Sequence, residues 1–211
     1  MRRFTTLAML LLTLLALTPS AGVQAAVGVS AEYTVKVTPP EPAAMAFAAV
    51  YRGASSPLRL TIGLPSWPMD LTLLKELRIS TLSGQPLSFA KVDGRTLSVA
   101  VPADGAVVAT WLQDLQQATD RGKKVESFGG KLSGYESLLV PENQAVTAAK
   151  CKFDLPAGWS AVSSYPRQDG WHQVTPTHFA DLRLELQASG WYFGTVDLTR
   201  PKPIPMASGS G

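Results

Sequence analysis

Metal or acid–base chemistry in this chain would fall to a small set of residues, since its 211 positions hold two histidines, one cysteine and 16 acidic side chains. The histidines are His172 and His178. A catalytic zinc takes three protein ligands and keeps one position open for water. Two ligands on one helix sit at i and i+4, and two on one strand side at i and i+2. A separation of six positions suits neither, and no H-E-x-x-H occurs anywhere. His172 is therefore expected as a hairpin residue and His178 as a loop residue. Cys151 has no partner for an intramolecular disulfide, and its place on an apolar strand face marks an inert core thiol. Ser163-Ser164 lacks the G-x-S-x-G of a nucleophile elbow. Gly129-Gly130-Lys131 lacks the framework of a phosphate loop and is expected as a flexible loop tip. Carboxylates are scattered on solvent faces rather than paired. No catalytic, cofactor-binding or metal-ligating residue, and no cofactor, is expected. Trp159, Trp171 and Trp191 could line a carbohydrate or peptide groove, but core packing is the commoner role of tryptophan in a β protein and is the one expected.

The elements that would carry these residues are short strands. In Val146–Ser163 the side chains of Ala149, Cys151, Phe153 and Leu155 share one face and Lys150, Lys152 and Asp154 the other, the period-2 pattern of a half-buried strand. Pro156-Ala157-Gly158 ends it, and Trp159 opens the return. Tyr33, Val35 and Val37 alternate with Thr34 and Lys36; Leu58, Leu60 and Ile62 with Arg59 and Thr61; Leu97, Val99 and Val101 with Ser98 and Ala100. Met45–Tyr51 reads as a strand buried on both faces, while Leu71–Ile79 could be a helical turn running into a strand, which periodicity does not decide. Asp93-Gly94 and Asp169-Gly170 are hairpin signals. Leu182, Leu184 and Leu186 alternate with Arg183, Glu185 and Gln187 and predict another strand, and Trp191–Leu198 the last. Gln113–Gly134 is polar and is expected as a long exposed loop, the first place to look for a binding role. The sum is an all-β chain, an antiparallel β-sandwich.

The ends read differently. Arg2 and Arg3 precede an uncharged run from Leu7 to Leu17, and Val23-Gln24-Ala25 offers a small-residue cleavage site. Together these predict a secretory signal over residues 1–25, too short in its apolar part to span ~30 Å of hydrocarbon. The sandwich is then expected over 26–200, and a flexible tail or linker over 201–211, rich in Pro, Gly and Ser. Losing residues 1–25 takes away two of the 19 basic residues and no acidic one, leaving 186 residues at a formal charge of +1. Neither a nucleic-acid surface nor a membrane association after cleavage is expected. The address implied is periplasmic or extracellular.

Several segments, in order, resemble the amino-terminal domain of the glycyl aminopeptidase-like metallopeptidases, exported enzymes that often carry a PDZ domain. Leu64-Pro65-Ser66-Trp67-Pro68 is similar to that domain's LPxWxPG signature, and the run from Gly84 to Asp93 to its G-x-P-L hairpin. Gly134–Pro141 and Phe153–Trp159 resemble its later strand and its LPxGW corner. Met69 stands where the family usually has Gly, so the connection after Trp67 is expected to take its own path. The resemblance implies a β-sandwich that packs against a catalytic domain and walls its substrate cleft. The family's zinc and general-base residues lie in a downstream helical domain, and none of them maps onto these positions. The expected function is an exported, non-catalytic binding or scaffolding module with a peptidase domain or a peptide or protein ligand as partner. The alternative is the amino-terminal fragment of an exported zinc metallo-aminopeptidase whose catalytic domain lies downstream.

Overall fold

The computed structural model describes residues 28–38, 44–114, 125–126 and 129–194. The expected signal over 1–25, its cleavage point and the tail over 201–211 lie outside the described residues, as do the ends of the expected 26–200 domain. In chain order the strands are β1 (Val29–Thr38), β2 (Ala44–Arg52), β3 (Leu58–Thr61), β4 (Gly63–Leu64), β5 (Trp67–Pro68), β6 (Lys75–Ser80), β7 (Phe89–Lys91), β8 (Thr96–Val99) and β9 (Val107–Asp114). There follow β10 (Val125–Glu126), β11 (Gly129–Ser133), helix α1 (Gly134–Ser137), β12 (Val140–Pro141), β13 (Val146–Asp154), β14 (Ser160–Val162), β15 (Arg167–Gln168), β16 (Trp171–Val174), helix α2 (Leu182–Ala188) and β17 (Gly190–Gly194). A 3-10 turn at Leu71–Leu73 runs into β6, which decides a segment that periodicity leaves open.

A seven-stranded sheet, in the order β15-β16-β13-β1-β2-β9-β6, forms one layer. Its period-2 strands bury Tyr33, Val35, Met45, Tyr51, Val107 and Cys151 on one side. Two four-stranded sheets, β12-β3-β8-β7 and β10-β11-β17-β14, cover that side with Leu58, Leu60, Leu97, Leu132 and Trp191. Phe47 and Trp111, opposite each other on β2 and β9, stack with their centroids 5.1 Å apart. The Tyr33 and Tyr51 hydroxyls both donate to the Leu139 carbonyl, at 2.8 and 2.7 Å, and so tie the large sheet to the chain entering β12. Burial pushes the Tyr33 phenol far above its usual range, so it remains a donor.

The structure corrects four expectations. The sandwich is not wholly antiparallel: β1 runs parallel to β13, Tyr33 opposite Cys151, while the other pairings of the described residues are antiparallel. β1 already has β2 antiparallel on one side, and β13 reaches its other side after a long excursion through the smaller sheets, arriving in the same direction. Leu182–Ala188 is a helix rather than a strand, its N-terminus capped by the Asp181 carboxylate, which accepts from the Arg183 N–H at 2.8 Å. Gln113–Gly134 is not one exposed loop. Gln113 is buried, donating from Nε2 to the Glu136 carbonyl at 2.7 Å, and Leu132 is fully buried; the stretch from 115 to 124 lies outside the described residues. Gly129-Gly130-Lys131 is no loop tip but the start of β11, zipped onto β17 from Gly129–Gly194 to Ser133–Gly190.

Candidate functional site

Two places bring together the ionisable and aromatic side chains that the sequence singles out. The first is a cleft of about 620 Å³ where two sheets end side by side. β14 is the outermost strand of its four-stranded sheet, and β15 with β16 closes one end of the seven-stranded sheet. The β15–β16 hairpin is fixed by Asp169 and Gly170, both at positive φ (50° and 81°), the pair that a two-residue reversal of this hand demands. That reversal sets Trp171 at the cleft. The Pro156-Ala157-Gly158 corner, with Gly158 at φ 82°, brings Trp159 into the lining just before β14. Phe153 lies between them on β13, 5.9 Å from the Trp191 ring and 6.2 Å from Phe193 by centroid.

Trp159 and Trp171 are half-buried and line the cleft, whereas Trp191 is fully buried, so core packing accounts for one of the three tryptophans and a shared groove for the other two. Trp159 stacks on Phe193 with centroids 6.2 Å apart. The Lys150 ammonium sits 4.4 Å from the centroid of Trp171, within cation–π range, while it also holds Glu32 at 2.9 Å. Lys152 and Arg167 line the same cleft from exposed positions, and neither has an ion-pair partner among the described residues. Asp154 is the one acidic residue in the lining.

His172, expected in a hairpin, is there, but buried. Its Nδ1 lies 3.1 Å from Ser163 Oγ and 3.5 Å from the Tyr165 carbonyl, and its ring meets Phe153 edge-on. Burial lowers its pKa below the ordinary value, the Tyr165 carbonyl opposes that, and the Arg167 charge reinforces it. Ser163 is no nucleophile elbow: its hydroxyl accepts the Tyr165 N–H at 3.2 Å, the geometry of a turn. Cys151 is fully buried, and burial pushes its thiol far above the usual range, the inert thiol that its strand position predicts.

The second place surrounds Glu185, which the strand alternation sets on a solvent face and the structure buries completely. Its Oε1 accepts the Tyr165 hydroxyl at 2.9 Å and the Thr177 hydroxyl in a short bond. Its Oε2 accepts the backbone N–H groups of His178 and Phe179 at 3.0 and 2.9 Å. The exposed His178 ring lies 3.6 Å from Oε1. Burial alone would raise this carboxyl, but the bonds from Thr177, His178, Phe179 and Tyr165 outweigh it and hold it well below the ordinary carboxylate range. Both oxygens are filled by the protein's own donors, so the group anchors the 175–181 loop to α2 and has no lone pair left for a substrate or metal. The signal that sequence reading missed is Asp181, a capping residue one position ahead of the alternating run.

Among the described residues no three His, Cys, Asp or Glu side chains come close enough to hold a metal ion. No helix among them is long and apolar enough to cross a membrane.

Residues 71–183 match the family described as the Peptidase M61 N-terminal domain, and the chain belongs to that family. In fold it is similar to the aminopeptidase N family protein from Idiomarina loihiensis, with a TM-score of 0.63 at 13% identity over 78% of this chain. The M1 zinc metallopeptidase from Deinococcus radiodurans aligns over 79% of this chain at 14% identity with a TM-score of 0.45. This chain spans 29% of the length of the Idiomarina protein and 42% of the Deinococcus one. No curated protein matches the sequence.

Proposed function

We propose that the chain is an exported β-sandwich module that acts by binding rather than by catalysis, working in the periplasm or outside the cell beside a peptidase domain or a peptide ligand. The observation that carries this reading is the character of the Trp159–Trp171 cleft. It offers aromatic walls and unpaired cations, the furniture of recognition. Hydrolysis by a metal would need fixed ligands, an open coordination position and a base for the water proton. The two histidines supply no such set, since His172 is held by Ser163 and His178 lies beside the saturated Glu185. Membership of a peptidase amino-terminal family supports a partnership with peptidase chemistry without supplying the site for it.

The test is to purify the chain, measure bound zinc, and assay amino-terminal peptide substrates with and without added zinc. Neither stoichiometric zinc nor turnover is expected. Chelator-sensitive hydrolysis would overturn the reading. A second reading is favoured by the 29% share of the Idiomarina aminopeptidase N family protein that the chain spans: the same domain leading a longer zinc aminopeptidase. Activity that arises only when a downstream catalytic domain is supplied would select it.

A further inference from the structure

Resting on the binding-module reading, the geometry points to the class of ligand: we infer that the cleft takes an extended acidic peptide, laid along β14 as an added strand. Three observations converge on that occupant. The first is the open edge. β14 pairs with β17 through Ser160–Gly194, Ala161–Phe193 and Val162–Tyr192, and among the described residues has no strand on its other side. Alternate backbone groups of an edge strand face away from its neighbour, and among the described residues 160–162 make no other backbone hydrogen bond. An extended chain satisfies such groups with its own N–H and C=O groups, as in strand addition.

The second is the aromatic lining. Trp171, on the Lys152 face of the large sheet, and Trp159, just ahead of β14, are both half-buried in the lining, so apolar side chains on one face of an added strand have aromatic surface to meet. Successive side chains of a strand point to opposite faces, so an alternating peptide presents its other face separately.

The third is charge. Lys152 and Arg167 are exposed in the lining without ion-pair partners among the described residues, against the single carboxylate of Asp154, and Lys150 lies behind on the Trp171 face. Peptide carboxylates complement that excess. A saccharide would use the tryptophan faces but would leave both the strand edge and the cations unmatched.

The experiment uses a fluorescein-labelled hexapeptide of alternating valine and glutamate, titrated against the full chain by fluorescence anisotropy. Saturable binding is expected. It should weaken about tenfold in the Lys152→Glu/Arg167→Glu variant, and similarly when lysine replaces glutamate in the peptide. Methylating alternate backbone nitrogens of the peptide should abolish it. Both substituted residues are exposed, so thermal unfolding of the variant should match that of the unaltered chain. No binding of the hexapeptide, binding indifferent to charge reversal and N-methylation, occupation by an oligosaccharide instead, or self-association through the cleft would each overturn the assignment. Zinc content and peptide turnover in the same preparation test the binding-module reading separately, so loss of the ligand assignment and loss of that reading give different results.

Discussion

The Glu185 cluster and the Trp159–Trp171 cleft are built from the same materials, aromatic rings set beside ionisable groups, within a few residues of each other along the chain. They differ in who satisfies whom. Around Glu185 the protein supplies every partner: two hydroxyls and two backbone N–H groups meet a carboxylate that water does not reach. In the cleft, two cations lack an ion-pair partner and a strand edge lacks a neighbouring strand among the described residues. A saturated polar cluster stabilises and specifies structure; an unsaturated one at the surface is available to something else. The contrast is what supports the proposal of binding in the cleft, and it gives structural duty to Glu185, although the carboxylate is the residue whose titration is the more displaced.

The sharpest way to break that contrast is Glu185→Ala, which strands four donors. A loss of about 4 kcal/mol is expected in urea unfolding, since each buried group left unsatisfied costs roughly 1–3 kcal/mol. A loss within about 0.5 kcal/mol, typical of exposed positions, would mean that the cluster is no anchor. The same group sets an acid limb. Its folded pKa lies below the ordinary 4.5, so its stabilisation is complete above that value and fades as pH falls beneath it. Glu185→Gln should flatten this limb when unfolding midpoints are followed from neutral pH downwards.

Next in size is the pair Phe153→Ala and Lys152→Ala, adjacent residues on opposite faces of β13. Phe153 packs against Trp191 and Phe193, and its loss should cost about 3 kcal/mol. Lys152 is exposed, and its loss should cost less than about 0.5 kcal/mol. Equal losses would erase the distinction between cleft floor and cleft rim.

A smaller effect comes from His172. Folding depresses its pKa below the ordinary 6.5, so the native state favours the neutral ring, and stability should decline as pH drops below that value. Proton NMR of the ring should show a midpoint under 6.5; one above it would mean that the ring is not held as described. The smallest is Cys151, whose buried thiol should ignore a thiol reagent in the native protein and react fully after unfolding. Prompt reaction in the native state would place it at the surface.

Much of the fold was legible because period-2 alternation and core burial coincide. Tyr33, Val35 and Val37, and Ala149 with Cys151, lie inward as their spacing implies, and Asp169-Gly170 turns where the dipeptide says. The alternation of Leu182, Leu184 and Leu186 misled because one short run fits both periods, and the Asp181 cap decided for helix. There the buried face includes Glu185, Leu186 and Gln187 in succession, which no strand facing water on one side allows. β11 was invisible for another reason: Gly129 and Gly130 carry no strand propensity, and the pairing with β17 imposes the conformation. For the cleft, Trp159 and Trp171 could be named as groove candidates, yet their facing arises between two sheets, and nothing local in the chain encodes that.

The parallel contact of β1 with β13 bears on the order in which this molecule can assemble. Val29 and Thr147, joined at the head of that pairing, are 118 positions apart, and the Tyr33 hydroxyl finds its carbonyl 106 positions away. A chain made from its amino terminus must therefore leave one edge of β1 unpaired until β13 has been synthesised. Long loop closures of this kind put folding in the millisecond-to-second range rather than the microsecond one. The unfinished chain offers that bare edge to any other extended segment for as long as its closing strand is missing, so the late strand also guards against mispairing.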